Sequence, residues 1–114
     1  MIVMKFGGTS VMDAAAIDRT AQIVRGRLSR RPAVVVSAMS KVTDALLAAG
    51  KAAGEGKREE ALELARGLRE RHHKTAKELV TPEQYSVLGA ELDREFDTPL
   101  LHTMRGVGYV LRPA

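Results

Sequence analysis

The sequence predicts an α/β fold, and three observations lead to this class. An apolar run over residues 2–6 stops at a glycine pair, an amphipathic stretch follows, and residues 33–36 form a continuous apolar run. A strand, a helix and a strand in that order form a βαβ unit with parallel strands and a right-handed crossover. The two strands therefore end at the same edge of the sheet, where open α/β sheets bind their ligands.

The elements of this unit can be placed along the sequence. Ile2 and Val3 favour a strand over residues 2–6, which ends in a turn at the glycine pair. We expect the first helix to begin after a cap at Asp13 and to end near residues 29–31, before Pro32. Residues 33–36 predict a fully buried strand. The helix should bury apolar residues spaced by four, three and four, namely Ile17, Ala21, Val24 and Leu28.

Three more helices are predicted after the second strand. The first covers about Val42 to Ala53 and closes at a glycine-containing loop over residues 54–56. The next runs from about Arg58 to Leu79 and has one apolar face formed by Leu64, Leu68, His72, Ala76 and Leu79.

The segment Thr81-Pro82-Glu83-Gln84 predicts the start of a fourth helix. It combines an N-cap threonine, a proline at the first helical position and a glutamine at the third. The apolar stripe of this helix is Tyr85, Leu88, Leu92 and Phe96. After Pro99, two short strand-like runs surround a turn that contains Gly106 and Gly108, which predicts a C-terminal β-hairpin.

Size and composition restrict the possible classes of protein. A chain of 114 residues that is 45% apolar and 28% charged fits a small globular protein. It contains no cysteine, no secretory leader pattern and no run near the ~18 apolar residues of a membrane span, so we expect a cytoplasmic protein without membrane contact. The adjacent His72 and His73 point to different sides of a helix, so no metal site is predicted.

The net charge of +4 permits an anionic partner but indicates none strongly, because both signs are interspersed. The densest basic group lies where the first helix should end, and there it interacts favourably with the helix dipole. This interpretation is preferred to nucleic-acid binding. The group consists of Arg25, Arg27, Arg30 and Arg31.

The stretch KFGGTS at residues 5–10 is a candidate phosphate-binding turn. Glycine allows the backbone to approach a ligand closely, and free N–H groups at a helix start attract anions. Lys5 adds a positive charge directly before the turn. The spacing matches neither the P-loop nor the GxGxxG pattern, so the stretch alone fits an ordinary tight turn equally well.

Two motifs together resemble one family. MKFGGTSV, followed by VVVSAMSKVTDALL, is similar to the amino-terminal part of aspartate kinase, in the amino acid kinase family, and the resemblance covers residues 1–98. It implies a truncated form of that family's three-layer α/β fold, with a small parallel sheet and a helical segment. The implied reaction transfers the γ-phosphoryl group of MgATP to the side-chain carboxylate of L-aspartate.

The resemblance also implies roles for individual residues. Lys5 would be catalytic and offset charge on the transferred phosphoryl group. Phosphate donors would be Lys5, Gly7, Gly8, Thr9 and Ser10, and the residues near aspartate would be Ser37 and Thr43. Each has a structural alternative: Lys5 can be a solvated strand end, Thr9 or Ser10 can cap the first helix, Ser37 can satisfy a turn and Thr43 can cap the second helix.

The same resemblance predicts an incomplete enzyme. The family's kinase domain is more than twice as long, and its later part supplies the adenine site and most of the central sheet. We therefore expect weak nucleotide binding and little or no turnover from this chain alone. A sheet of two strands also leaves exposed edges, which favour a homo-oligomer.

A second resemblance covers the tail, residues 99–114. LLHTMRGVGYVLRP is similar to the wing hairpin of OmpR/PhoB-type winged-helix DNA-binding domains, in which an arginine at the position of Arg105 can approach the minor groove. The recognition helix that should precede the wing is absent, and one wing with few basic groups neutralises little phosphate charge, so DNA binding is disfavoured. A DNA-binding regulatory module and a non-functional chimera joined near residues 97–100 remain the alternatives to the kinase-like interpretation.

Overall fold

The computed structural model describes residues 1–97, 101–104 and 108–111, with side chains described through Arg94. The chain folds into two compact units, Met1–Thr43 and Asp44–Ala114. The helices and strands, in chain order, are β1 (Ile2–Phe6), α1 (Ala14–Arg25), β2 (Pro32–Val36), α2 (Val42–Gly54), α3 (Arg58–Leu79), α4 (Pro82–Asp97), β3 (Leu101–Met104) and β4 (Gly108–Leu111).

The first unit is built on the pairing of β1 with β2. The two strands are parallel and in register from Ile2 opposite Pro32 to Phe6 opposite Val36. The Ser37 amide donates to the Phe6 carbonyl at 3.0 Å, directly after the last residue of β2. The predicted strand–helix–strand order with parallel strands is therefore confirmed.

Helix α1 begins where the sequence predicts and ends earlier. The Asp13 carboxylate accepts a hydrogen bond from the Ala16 amide at 2.8 Å, which confirms the predicted N-cap. The helix ends at Arg25, and a 3-10 turn over Leu28–Arg30 follows. The predicted end near residues 29–31 is wrong because Gly26, a poor helix former, follows Arg25 and the backbone then changes to the tighter turn.

The buried face of α1 differs from the predicted stripe. Its buried residues are Ala16 and Thr20, one position ahead of the predicted Ile17 and Ala21. Ile17 and Val24 are half-buried, whereas Ala21 and Leu28 are exposed. The prediction failed because it followed the larger apolar side chains, whereas the tight packing of this helix uses small residues.

Strand β2 is not the fully buried strand that the sequence predicts. Val34, Val35 and Val36 are 42%, 53% and 56% exposed. Among the described residues, β2 pairs only with β1, so successive valines remain accessible on both faces of the strand. The β-branched run did predict the strand itself correctly, but burial depends on neighbours that the local sequence does not specify.

Helix α2 closes through a glycine-containing loop, as predicted. Gly56 has a φ of +76°, a conformation that glycine adopts without steric cost, and the Lys57 amide donates to the Ala52 carbonyl at 2.8 Å. The helix extends to Gly54, one residue beyond the predicted end. Ala49 and Ala52 are its buried side chains near this end.

Helices α3 and α4 form an antiparallel hairpin. The cap predicted at the start of α4 is confirmed. The Thr81 hydroxyl accepts from the Gln84 amide at 3.2 Å, and the Gln84 side chain accepts from the Thr81 amide at 3.0 Å. On the predicted apolar face of α3, two residues are buried and three are half-buried. These are Leu68 and Ala76, and Leu64, His72 and Leu79, respectively.

The apolar stripe of α4 is correct only in part. Tyr85 and Leu92 are half-buried, whereas Leu88 is 36% exposed, and the Phe96 side chain lies outside the described residues. Gly89 is buried instead, because the Tyr85 ring folds back over it: a Cβ at Gly89 would lie 3.1 Å from the ring. The lack of a side chain at Gly89 therefore leaves space for the Tyr85 ring on α4.

A polar network crosses between α3 and α4. Arg69 donates to the Asp93 carboxylate from Nη2 at 2.6 Å and from Nε at 3.1 Å, and His73 Nε2 lies 2.9 Å from the same oxygen. His73 Nδ1 lies 2.5 Å from the Tyr85 hydroxyl. The Arg69 hydrogen bond is the main reason that the pKa of Asp93 lies below its ordinary value; desolvation opposes this shift and His73 adds to it.

Strands β3 and β4 pair antiparallel, with Leu101 opposite Leu111 and Met104 opposite Gly108. Residues 105–107 between them, including Arg105, lie outside the described residues. The wing-like hairpin and the domain boundary near residue 98 therefore stay predictions. Within the described parts of the chain, no helix has both the length and the apolar character required to cross a bilayer.

Replacing Asp13 with alanine should reduce the free energy of unfolding by about 1 kcal/mol, because the Ala16 amide loses its acceptor. Urea unfolding followed by circular dichroism measures this change. The matched control is Asp18→Ala, which removes only an exposed contact with Gln22 and should cost about 0.2–0.5 kcal/mol. Equal losses in the two variants would contradict the cap.

The lowered pKa of Asp93 predicts that part of the stability is lost in acid. A carboxyl group with a folded-state pKa below its ordinary 3.8 stabilises the folded state above that value, and this contribution disappears as the pH falls through the folded-state pKa. Asp93→Asn should therefore flatten the fall in thermal midpoint below about pH 4. Asp18→Asn serves as the control. An acid profile in Asp93→Asn that matches the wild type would exclude this role.

Candidate functional site

The turn after β1 and the loop after β2 meet at the carboxyl-terminal edge of the sheet. The Ser37 amide donates to the Phe6 carbonyl, and a Cβ added at Gly8 would lie 3.3 Å from the Ala38 carbonyl oxygen and 3.4 Å from the Ser40 Cα. The expectation that these two segments lie together is confirmed. A side chain at position 8 would crowd the Ala38 carbonyl, so glycine favours the close approach of the two backbones.

Gly7 differs from Gly8 in its surroundings. Its backbone is extended, with φ −78° and ψ 179°, and a Cβ added there would meet no described atom within 4 Å. The Ser10 amide donates to the Gly7 carbonyl at 3.0 Å and closes a 3-10 turn over Gly8–Val11. Gly7 therefore leaves open space beside the turn, whereas the space at Gly8 is filled by the neighbouring loop.

The turn is held in place by α1. The Thr20 hydroxyl donates to the Ser10 carbonyl at 2.7 Å, and Thr20 is only 8% exposed. Because a buried hydroxyl is costly without a partner, this bond fixes the turn relative to the helix. Val11, which is 8% exposed, anchors the far end of the turn.

A cavity of about 230 Å³ lies beside the turn. Thr9 and Ser10, two of the predicted phosphate-binding residues, line it together with one cationic side chain, Arg19. The full lining is Phe6, Thr9, Ser10, Ala16, Arg19, Thr20 and Ile23. Arg19 was not among the predicted site residues, because it lies three residues after Ala16 on a face of α1 that the sequence did not predict to be buried.

Lys5 lies on the other face of the sheet from this cavity. Along β1, Ile2, Met4 and Phe6 are half-buried, whereas Val3 and Lys5 are exposed. Side chains alternate along a strand, so Lys5 points away from the face on which Phe6 meets α1. The structure therefore brings Thr9, Ser10 and Arg19 together and leaves Lys5 on the opposite face, one residue before Phe6.

Ser37 and Thr43 are both exposed. Ser37 follows β2 directly and lies at the edge where the two loops meet. Thr43 is the second residue of α2, so its alternative interpretation as the cap of that helix is wrong. The capping interpretation of Thr9 and Ser10 is also wrong, because Asp13 caps α1.

The sheet edge thus carries a glycine-containing turn next to a cavity that is lined by two hydroxyl-bearing residues and by Arg19. Comparison with known proteins assigns the class. The model of the amino acid kinase family matches residues 1–101, so the chain belongs to that family.

The chain is similar to several aspartokinases. Aspartokinase 2, chloroplastic, of Arabidopsis thaliana is 42% identical over 79 residues, which cover 68% of this chain and 14% of the relative. The bifunctional aspartokinase/homoserine dehydrogenase 1, chloroplastic, of the same plant is 37% identical over 95 residues, which cover 83% of this chain and 10% of the relative. The chain thus spans no more than 14% of the length of these relatives.

The two glycines should respond differently to alanine. Gly8→Ala forces the backbone at Ala38 and Ser40 to move, and overpacking of this kind costs about 1–3 kcal/mol. Gly7→Ala meets no described atom within 4 Å and serves as the matched control. Urea unfolding of both variants measures the difference. A Gly7 variant as destabilised as the Gly8 variant would show that the two loops do not meet as described.

Proposed function

We propose that this chain carries the phosphate-binding part of an aspartokinase-like site. In this proposal, the turn at Gly7–Ser10 binds the phosphates of MgATP, and the γ-phosphoryl group is transferred to the side-chain carboxylate of L-aspartate. The meeting of this turn with the loop after β2, at the carboxyl edge of a parallel sheet, carries the proposal.

Phosphoryl transfer depends mainly on positioning and on neutralising the charge of the transferred group. The first N–H groups of the turn, at Gly8 and Thr9, have no acceptor within the turn itself, since a helix start lacks preceding carbonyls. Open space beside Gly7 gives a phosphate oxygen access to this backbone. The hydroxyl groups of Thr9 and Ser10 add donors.

The side chains around the turn suit the anionic part of a nucleotide. Arg19 supplies a positive charge in the cavity that Thr9 and Ser10 line, and none of the described carboxylates lines this cavity. The magnesium ion would thus arrive with ATP, coordinated by the phosphates, and would supply further charge neutralisation there. Lys5 would act from the strand end, where its long side chain can reach around the edge of the sheet.

The aspartate side of the site is proposed at Ser37 and Thr43. Both are exposed and follow β2, so they are accessible to a small substrate at the edge of the sheet. Their hydroxyl groups can donate hydrogen bonds to a carboxylate. These assignments, like that of L-aspartate itself, come from the resemblance to aspartokinases.

We propose that the chain by itself binds nucleotide weakly and turns over little. The exposure of three consecutive valines in β2 means that this strand is not covered on both faces within the first unit, as it would be in a three-layer fold. A site on such a sheet is poorly preorganised, which reduces both affinity and rate. The exposed strand edges favour self-association of the chain into a homo-oligomer.

Isothermal titration with MgATP tests the phosphate site. Arg19→Met and Lys5→Met should each weaken binding about tenfold, because each removes a charge-assisted contact. The control is Lys51→Met, which removes an equivalent exposed charge from α2. A parallel hydroxamate assay for aspartyl phosphate should show negligible turnover.

Equal affinity in all three variants and the wild type would contradict the proposed phosphate site. Normal turnover in the hydroxamate assay would instead contradict only the proposal that the chain is inactive by itself. The two results are independent, because binding is measured without aspartate.

A further inference from the structure

The polar network between α3 and α4 opens into a cleft of about 370 Å³ that the proposed phosphotransfer does not use. The cleft lies entirely within the second unit, and its lining is mostly charged or aromatic. The lining residues are Arg66, Arg69, Glu70, His73, Lys77, Tyr85 and Asp93. Tyr85 is half-buried, and its hydroxyl group contacts His73.

The hydrogen bonds of this network determine which nitrogen of His73 carries the proton. Arg69 donates twice to one oxygen of Asp93 and holds the pKa of Asp93 below its ordinary value, so the carboxylate is ionised and can only accept. His73 Nε2, 2.9 Å from that oxygen, must therefore be the N–H donor. In the neutral imidazole, the lone pair then lies on Nδ1, 2.5 Å from the Tyr85 hydroxyl.

In this arrangement, a carboxylate contacts a potential base, and that base contacts a potential nucleophile. Asp93 orients His73, and His73 can accept the proton of the Tyr85 hydroxyl. Nucleophilic side chains are activated by a neighbouring base that is itself held by a third group, and the recognition of such sites depends on geometry rather than on sequence position. Two histidines are adjacent in the sequence, but His73 is the one that contacts both groups; His72 Nδ1 contacts the Leu68 carbonyl in its own helix.

The charges around Tyr85 favour a particular class of reagent. Lys77 Nζ lies 5.3 Å from the centre of the Tyr85 ring and places one positive charge beside it. The carboxylate of Glu70 also lines the cleft, and the two arginines of the lining are paired, Arg66 with Glu63 and Arg69 with Asp93, so the lining has no large excess of either charge. A neutral activated ester fits such a lining.

We propose that Tyr85 is a covalent acceptor site for acyl groups from neutral activated esters, with His73 as its general base. The Tyr85 oxygen attacks the acyl carbon and forms a new ester bond, while the bond between that carbon and the leaving-group oxygen breaks. The phenol proton moves to His73 Nδ1 and then to solvent. The leaving group departs with its electron pair, so no oxidant or further reactant is required.

The test is acetylation of the intact chain by p-nitrophenyl acetate, with free N-acetyltyrosinamide in the same solution as the reference. Peptide mass spectrometry follows the acetyl group on Tyr85 with time. Since general base catalysis contributes about 10²–10⁴-fold, Tyr85 should be acetylated at least ~10-fold faster than the reference tyrosine. A rate on Tyr85 that equals or falls below that of the reference would overturn the proposal without any variant.

Two variants show whether His73 acts as a general base or only makes a structural contact. His73→Gln should reduce the rate at Tyr85 to that of the reference, whereas His72→Gln, its neighbour on α3, should leave it unchanged. Circular dichroism at the helical minimum verifies that each variant retains α3 and α4. If folded His73→Gln is acetylated at the wild-type rate, the network is only a clamp between helices and the proposal is wrong.

Discussion

The parallel pairing of β1 and β2 is the constraint on which the candidate site depends. The two strands are in register from Ile2 opposite Pro32 to Phe6 opposite Val36, so both end at the same edge of the sheet. The hydrogen bond from the Ser37 amide to the Phe6 carbonyl then fixes where the second loop begins. A shift of one residue in this register would separate Gly8 from the backbone of residues 38–40 and disrupt the site.

The sequence predicted the features that depend on local chemistry. Asp13 and Thr81 each satisfy amides within three residues, and such caps can be identified without knowledge of the fold. The burial of β2 was predicted wrongly, because it depends on neighbouring strands and layers. Arg19 and the network of His73 with Tyr85 were missed for a similar reason, since their partners are brought close only by tertiary structure.

The two glycines of the turn have different surroundings, and only one of them is explained by packing. Gly8 is needed so that two backbones can approach each other, whereas Gly7 leaves space open to a ligand. A glycine pair at a strand end can therefore be under two separate constraints, only one of which concerns function. Membership of the amino acid kinase family supports the functional interpretation of Gly7, and packing alone explains Gly8.

The most direct measurement is a ¹⁵N–¹H correlation spectrum of the chain, recorded with increasing MgATP. We expect the amides of residues 7–10 and 37–40 to shift together, and the Arg19 amide to shift with them, because these groups surround the proposed phosphate position. Shifts confined to α3 and α4, or none among the residues of the turn at saturating nucleotide, would contradict the claim that this sheet edge binds phosphate.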